Sequence, residues 1–175
     1  MEQLKMRRDA SPVTLFKPPA GYYIRTYESG DAENWCRCCA EGELGVDEIS
    51  DEFFNKVMSP EKGVDLKNIY FIVSPDGEAA GTATYQYREK PFEANLHMVA
   101  VKKDFRGLGL SAPLVSHAAA QMICNGVREI FLTTDDFRVP AIKTYLKCGF
   151  VPVIDLEGAA ERWDKIFGIN NPARK

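Results

Sequence analysis

The sequence has little that would tie the protein to a membrane, a nucleic acid or an oxidising compartment. No stretch approaches the ~20 consecutive apolar residues that cross a bilayer. The formal net charge of −3 over 175 residues gives no general attraction for nucleic acid or anionic lipid. The five cysteines are an odd number in a chain long enough to fold without disulfides, which favours a reduced, cytoplasmic setting. We therefore expect neither a membrane nor a nucleic acid as partner.

Histidine is scarce, which argues against a metal site. The chain contains only two histidines, and the cluster of Cys36, Cys38 and Cys39 lacks the C-x-x-C spacing that a zinc site needs. Buried free thiols on a helix explain this cluster better. The sequence therefore predicts no metal.

The spacing of apolar residues predicts one α/β domain. Residues 1–20 contain three prolines and no clear period, so we expect an irregular N-terminal arm. Residues 21–170 predict elements in the order β-α-α-β-β-β-α-β-α-β, with a closing helix over 158–167 and a short tail at 171–175. Hairpin-linked strands come first and helix-crossed strands follow. This order is typical of a mixed sheet with helices on both faces.

The most informative stretch covers residues 99–111, where a predicted strand leads through a short loop into a predicted helix. Gly107 and Gly109 in that loop let the backbone approach an anion closely, because no Cβ stands in the way. The N–H groups and partial positive charge of a helix N-terminus suit a phosphate. The Gly-Lys-Ser/Thr of a Walker loop is absent, and Ala112 takes the third glycine position of a dinucleotide fingerprint. A different phosphate ligand is indicated.

This stretch resembles motif A of the GCN5-related N-acetyltransferase (GNAT) family, which reads V-x-V, a few residues, then R/Q-x-x-G-x-G/A. Arg106, Gly109 and Ser111 occupy the three marked positions, with serine where glycine or alanine is usual. The resemblance implies the GNAT acyltransferase fold, with acetyl-CoA as cosubstrate. It also implies that loop amides hold the pyrophosphate, that the strand pairs with the pantetheine arm, and that an N–H near Val99 faces the thioester carbonyl. The coenzyme-binding residues implied in this way are Val99, Ala100, Val101, Arg106, Gly107, Leu108, Gly109, Leu110 and Ser111.

A second block resembles the later family motif N-x-x-A-x-x-x-Y-x-x-x-G-F. Ala141, Tyr145, Gly149 and Phe150 match it, whereas Arg138 replaces an asparagine that commonly contacts coenzyme A. Arginine suits a phosphate, so Arg138 joins the predicted coenzyme-binding residues. Family members often use this tyrosine as a general acid. A phenol with a pKa near ~10 can protonate the departing thiolate, whose pKa is near ~8.5. For Tyr145, packing on the helix face is the alternative.

The acceptor amine, with a pKa near ~10, must lose a proton before it attacks, so a base is needed. Alternation along residues 95–101 predicts that Asn95, His97, Val99 and Val101 share one face. The strand is similar to that of serotonin N-acetyltransferases, where two histidines on this face relay the proton. His97 matches the second histidine, and Asn95 stands at the first. An imidazole with a pKa near ~6.5 suits a base working through water, and a packing role for His97 is equally open.

The acceptor side gives a weaker signal. Residues 41–52 contain six acids and no lysine or arginine, as expected either for a site for a cationic amine or for a solvated loop. We predict an N-acetyltransferase that moves acetyl from acetyl-CoA to a primary amine of a small molecule or peptide, by direct attack in a ternary complex. The alternatives are a non-catalytic acyl-CoA-binding module and a nucleotide-binding regulatory domain. Many family members dimerise, so a homodimer is also open.

Overall fold

The computed structural model describes residues 2–154 and 157–168, and this part of the chain forms seven strands and five α-helices. The strands are β1 (Leu4–Asp9), β2 (Tyr23–Thr26), β3 (Ile69–Val73), β4 (Ala79–Tyr87), β5 (Glu93–Val101), β6 (Glu129–Thr134) and β7 (Val151–Pro152). The α-helices are α1 (Ala32–Glu41), α2 (Asp51–Val57), α3 (Ser111–Cys124), α4 (Val139–Lys147) and α5 (Ala159–Phe167). From β2 onward the elements follow the predicted order, and α5 is the predicted closing helix.

The strands form one mixed sheet in the order β2-β3-β4-β5-β6-β1-β7. Neighbouring strands are antiparallel except β5 and β6, which are parallel. Short connections link β3, β4 and β5, whereas α3 makes the crossover that a parallel pair requires. The predicted α/β class with a mixed sheet is therefore confirmed.

Strand β3 shows how the sheet is covered on both faces. Tyr70 and Ile72 belong to the core shared with α3, α4 and α5. Ile69, Phe71 and Val73 belong to the core shared with α1 and α2. Because successive strand residues point to opposite faces, the two cores lie on opposite sides of the sheet. The prediction of helices on both faces is confirmed.

The N-terminal segment differs from its prediction. An irregular arm over residues 1–20 is wrong for Leu4–Asp9, which form β1 between β6 and β7 and pair with β6 along the whole strand. Leu4 and Met6 are buried, but only these two apolar residues carry the alternation, and charged neighbours obscure it. The predicted tail at 171–175 lies outside the described residues, and the single-domain organisation stays a prediction.

Candidate active site

Strands β5 and β6 run side by side only where they begin. Residues 93–95 of β5 pair with residues 129–131 of β6. Beyond that point β6 pairs with β1 as far as Thr134, while β5 pairs with β4 as far as Val101. The two strands therefore separate toward their C-terminal ends and leave a cleft in the sheet. The end of β5 therefore has a free edge, as it needs if it pairs with the pantetheine arm in the way the resemblance implies.

A β-bulge interrupts β5 beside this cleft. Thr82 of β4 pairs with Ala100 of β5, and Thr84 pairs with His97. The partners are thus two residues apart on β4 but three residues apart on β5, so β5 contains one extra residue. Met98, inside the bulge, has a φ of +52°, a left-handed backbone conformation that few residues other than glycine adopt. Bulges of this kind redirect side chains and recur beside functional sites.

Because of the bulge, the side chains of β5 are distributed over the two faces of the sheet differently from the prediction. Alternation alone places Asn95, His97, Val99 and Val101 together. In the structure, Val99 and Val101 pack into the core with α3, whereas Met98 packs into the core with α1. His97 lines a cavity together with residues of α1 and α2. The prediction is wrong after His97, because one inserted residue moves every later side chain to the opposite face.

The loop between β5 and α3 offers backbone donors at the cleft. Gly107 and Gly109 have φ angles of +79° and +76°, and a Cβ on either would meet no heavy atom within 4 Å. Leu110 is the N-cap of α3 and provides no side-chain cap, so the first N–H groups of the helix lack a capping partner. Uncapped donors at the positive end of a helix dipole, in an open glycine loop, fit a pyrophosphate.

A cavity of about 340 Å³ occupies the cleft and reaches this loop. We name it the cofactor cavity. The predicted site residues that line it are Val99, Ala100, Val101, Arg106, Gly107, Gly109, Leu110, Ser111, Arg138 and Tyr145. Leu108, whose side chain is exposed, and His97 do not line it. Further lining residues, which the sequence analysis missed, are Gly42, Glu43, Phe105, Val115, Phe137, Pro140, Ala141 and Thr144.

The C-terminal end of α1 forms one wall of the cofactor cavity, and two arginines hold it. Nη2 of Arg106 donates to the carbonyl of Glu41 at 2.6 Å. Arg138 donates from Nη1 to the carbonyl of Gly42 at 3.2 Å and from Nη2 to that of Glu43 at 2.7 Å. Cations at the carbonyl end of a helix also complement its dipole. These contacts join residues distant in sequence, so no local pattern signals them.

Arg138 thus has protein partners where the family motif has asparagine. Its Nε donates to Asp135 at 3.0 Å, and its guanidinium lies 5.2 Å from the ring centroid of Phe137. Together with the two carbonyl contacts, these interactions fix the guanidinium at the rim of the cofactor cavity. Arg138 therefore positions the end of α1 against α4, and a contact between Arg138 and coenzyme A stays a prediction.

Tyr145 lies on α4, in the wall of the cofactor cavity. Its buried ring packs edge to face against Phe150, with centroids 6.0 Å apart. Burial raises the pKa of Tyr145 to about 12, although the nearby Arg138 opposes the shift. The phenol is therefore protonated at neutral pH and is available as a proton donor. The packing role and the acid role are both compatible with this position.

His97 lines a second cavity, of about 360 Å³, on the face of the sheet covered by α1 and α2. We name it the α1–α2 cavity. Burial, and secondarily the charge of Lys62, lower the pKa of His97 below its usual value of 6.5. The imidazole is therefore neutral at pH 7, the form that accepts a proton. The other histidine, His117, packs edge to face against Tyr70 with centroids 4.9 Å apart.

The two cavities are neighbours along two segments of the chain. Residues 42–43 and 99–101 line the cofactor cavity, while residues 44–46 and 97–98 line the α1–α2 cavity. The bulge at Met98 marks the change from one to the other on β5. The linings of the two cavities are therefore contiguous along β5 and along the loop after α1.

The six acids of residues 41–52 do not line the α1–α2 cavity. Glu41 accepts a hydrogen bond from the backbone N–H of Lys103, and the carboxylate of Glu43 lies 3.9 Å from the guanidinium of Arg106. The remaining four acids, Asp47, Glu48, Asp51 and Glu52, are exposed. This arrangement favours the solvated-loop interpretation over a binding site for a cationic amine.

The cysteine cluster is structural. Cys36, Cys38 and Cys39 are buried free thiols on α1, and burial raises the pKa of Cys38 to about 12. Among residues 2–154 and 157–168, no three His, Cys, Asp or Glu side chains are grouped to hold a metal ion. None of the helices within the same ranges has both the length and the apolar character needed to cross a membrane.

A split mixed sheet, a bulge beside the split and a glycine loop at a helix N-terminus define a class of coenzyme-binding transferases that the sequence motifs already indicate. A sequence profile of the acetyltransferase (GNAT) family matches residues 21–150. The chain belongs to the GNAT acetyltransferase family, whose members use acetyl-CoA. No curated protein sequence matches the chain.

Solved structures show the same fold. A GCN5-related N-acetyltransferase from Sphaerobacter thermophilus superposes with a TM-score of 0.63 at 19% identity, over 95% of this chain and 48% of that one. An acetyltransferase of the GNAT family from Novosphingobium aromaticivorans superposes with a TM-score of 0.64 at 22% identity, over 87% of this chain and 60% of that one. The ribosomal-protein-S18-alanine N-acetyltransferase of Escherichia coli superposes with a TM-score of 0.58 at 20% identity, over 73% of this chain and 76% of that one. The chain thus spans about half to three fifths of the first two proteins.

Proposed function

We propose that this protein is an N-acetyltransferase that moves an acetyl group from acetyl-CoA to a primary amine of a small molecule or peptide, by direct attack in a ternary complex. The observation that carries the proposal is the pair of cavities whose linings adjoin at the bulge in β5. One cavity suits an anionic coenzyme, and the other presents a neutral histidine on the opposite face of the sheet. The cytoplasmic setting, the independence from metal and a homodimer stay predictions.

The donor side relies mainly on the backbone. Acetyl-CoA supplies an acetyl group activated as a thioester. The N–H groups of the loop at 106–111 bind its pyrophosphate, and the unpaired edge of β5 at 99–101 binds the pantetheine arm. The N–H of Val99, directly after the bulge, donates to the thioester carbonyl and stabilises the negative charge that develops there.

Proton transfer divides between the two cavities. His97 takes a proton from the acceptor ammonium through water, which frees the nitrogen lone pair. The nitrogen then forms a bond to the carbonyl carbon as the carbon–sulfur bond breaks, and it loses its second proton to solvent, which leaves a neutral amide. Tyr145 donates its phenolic proton to the departing sulfur, so that the thiol rather than the thiolate is released. Solvent reprotonates Tyr145 because its pKa of about 12 favours the phenol.

The test is an amine panel incubated with acetyl-CoA, with thiol release as the readout. Amine-dependent release supports the proposal, and the acetylated product is identified by mass. Tight acetyl-CoA binding without release above the hydrolysis background, for every amine, would instead favour the non-catalytic acyl-CoA-binding module. Tighter binding of ATP than of coenzyme A would favour the nucleotide-binding regulatory domain.

A further inference from the structure

One primary amine of the chain itself lies on the acceptor side. Among the described residues, Lys62 is the lysine that lines the α1–α2 cavity, and no lysine lines the cofactor cavity. Its side chain is exposed. Four other lysines form ion pairs, whereas the Lys62 ammonium forms none within the described part of the chain. An ammonium without a carboxylate partner loses its proton more easily, so Lys62 is suited to act as a nucleophile.

The backbone of this lysine is held against β4. Lys62 ends the 3₁₀ helix Pro60–Lys62, and its carbonyl accepts a hydrogen bond from the side-chain amide of Gln86. The next carbonyl, that of Gly63, accepts a hydrogen bond from the N–H of Tyr87 at 2.9 Å. Gly63 has a φ of +75°, and a Cβ there would lie 2.5 Å from the carbonyl oxygen of Tyr87. The backbone is therefore fixed beside the cavity, while the flexible four-carbon side chain of Lys62 can change its conformation.

The same cavity contains a proton acceptor close to this amine. His97 lines the cavity together with Lys62, and the positive charge of Lys62 contributes to the lowered pKa of His97. The neutral imidazole can take a proton from an ammonium, directly or through water, as an amine requires before it attacks a thioester. The bulge that follows His97 is where the lining of the cofactor cavity begins. The lysine, the base and the donor side are thus consecutive along one surface.

We propose that Lys62 is itself an acetyl acceptor, and that the protein acetylates this lysine in cis when acetyl-CoA is bound and no other amine fills the α1–α2 cavity. The proposal rests on the acetyl transfer proposed above and names a modification site for that chemistry. Because Lys62 is attached beside the site, its effective concentration there exceeds that of a lysine in free solution.

The transfer balances in the same way as for a free amine. The Lys62 ammonium gives one proton to His97, and its nitrogen forms a bond to the carbonyl carbon as the carbon–sulfur bond breaks. The nitrogen loses its second proton to solvent, which leaves a neutral amide on the side chain. Tyr145 donates a proton to the departing sulfur, so coenzyme A is released as the thiol.

The test incubates the protein with acetyl-CoA and no added amine, and peptide mass spectrometry measures acetylation at each lysine. Lys62 should be acetylated at least about tenfold faster than Lys56, the matched control within the same molecule. Lys56 is also exposed and lies on α2 between Phe53 and Val57, which line the α1–α2 cavity, but Lys56 lines neither cavity. Both lysines meet the same acetyl-CoA in solution, so the comparison corrects for chemical acetylation.

Two further measurements identify the route. His97→Gln, which removes the base, and Gly109→Trp, which obstructs the coenzyme loop, should each lower the rate at Lys62 to that at Lys56. Acetylation of Lys62 at the wild-type rate in Gly109→Trp would be chemical acetylation and would overturn the proposal. The first-order rate at Lys62 should also be independent of protein concentration. A rate that rises in proportion to protein concentration would show transfer between molecules and contradict the reaction in cis.

The amine panel separates this inference from the proposed function. Acetylation of added amines without preferential acetylation of Lys62 would overturn the inference and leave the transfer function standing. Preferential acetylation of Lys62 without reaction of any added amine would support the inference and contradict a small-molecule or peptide acceptor. The absence of both reactions would overturn both proposals.

Discussion

The two cavities have similar volumes, about 340 and 360 Å³, but they are built from different parts of the chain. The cofactor cavity takes its donors from one continuous stretch, the end of β5, the glycine loop and the start of α3. The α1–α2 cavity is assembled from side chains of α1, the loop after it, α2, β4 and β5. The first is lined by backbone N–H groups at the start of α3 and by two arginines that donate to carbonyls at the end of α1, whereas the second is lined by hydrocarbon, one histidine, one glutamine and one lysine.

This difference predicts that substitutions can alter acceptor recognition without altering the donor site. Backbone donors need only glycine and a helix start, and these form a short motif. Side-chain walls change with each substitution and leave no motif. The predictions below test whether the donor and acceptor functions are as separate as the geometry indicates.

The largest expected effect is on the donor side alone. Gly109→Trp places a large side chain in the open space that we propose for the pyrophosphate, so acetyl-CoA binding should be lost while the fold survives. Gly77→Trp is the matched control, because Gly77 also has a positive φ, +84°, and open space, but lies in the β3–β4 turn. It carries similar backbone strain and should bind acetyl-CoA normally. Isothermal titration measures both, and unchanged affinity in a folded Gly109→Trp protein would refute the loop assignment.

Tyr145→Phe tests the chemistry of the cofactor cavity rather than its binding. The ring and its contact with Phe150 remain, but the proton donor is removed. We expect kcat to fall about 10²–10⁴-fold, with a much smaller change in acetyl-CoA affinity. The loss should shrink for acyl donors whose thiol has a lower pKa, since these leave with less help from an acid.

The exposed Tyr23, on β2 and outside both cavities, provides the control substitution Tyr23→Phe, which should leave kcat unchanged. A Tyr145→Phe protein with full kcat, or one equally impaired with every leaving group, would reduce Tyr145 to a packing residue.

His97→Gln tests the proposed proton acceptor in the α1–α2 cavity. If His97 is the base, kcat/KM for the amine should fall about 10²-fold near neutral pH, the lower end of general-base effects. The wild-type rate should fall as pH drops through the pKa of His97, and because burial lowers that pKa, this limb lies below 6.5. The limb should vanish in the variant.

The control for this substitution is His117→Gln. Burial also lowers the pKa of His117, but His117 packs against Tyr70 in the other core and lines neither cavity. Its variant should keep the acid limb. If the His97 variant shows the wild-type pH profile, the residue is a packing residue and the proton leaves by another route.

The same contrast separates what the sequence could predict from what it could not. The order of elements and the coenzyme loop depend on local periodicity and on glycines, so they can be predicted from the sequence. The bulge at Met98 has no such signal, because nothing in Leu96, His97 or Met98 marks a left-handed residue. One missed residue in β5 was enough to assign Val99 and His97 to the same face.

Long-range contacts account for the other differences. Strand β1 forms by pairing with β6, where Leu4 lies opposite Thr134, a residue far from it in sequence. Arg138 meets the carbonyls of Gly42 and Glu43, which its own neighbourhood does not reveal. A local motif indicated that position 138 matters, but only the folded chain shows which groups it contacts.

Arg138→Met is expected to have the smallest effect and gives the sharpest test of how the two cavities communicate. The substitution keeps a side chain of similar length at the N-cap of α4 but removes the hydrogen bonds that hold the end of α1, the wall next to both cavities. Each such bond contributes at least about 0.5–1.5 kcal/mol, so if Arg138 only positions this wall, KM should rise about two- to tenfold for acetyl-CoA and for the amine alike. A direct phosphate contact would instead raise KM for acetyl-CoA alone, and the rise would depend on salt.

Arg128→Met is the matched control, since Arg128 also lies over a phenylalanine ring, 4.7 Å from the centroid of Phe92, but lines neither cavity. Steady-state kinetics at two ionic strengths decide between the two roles, and unchanged KM values for both substrates would exclude both.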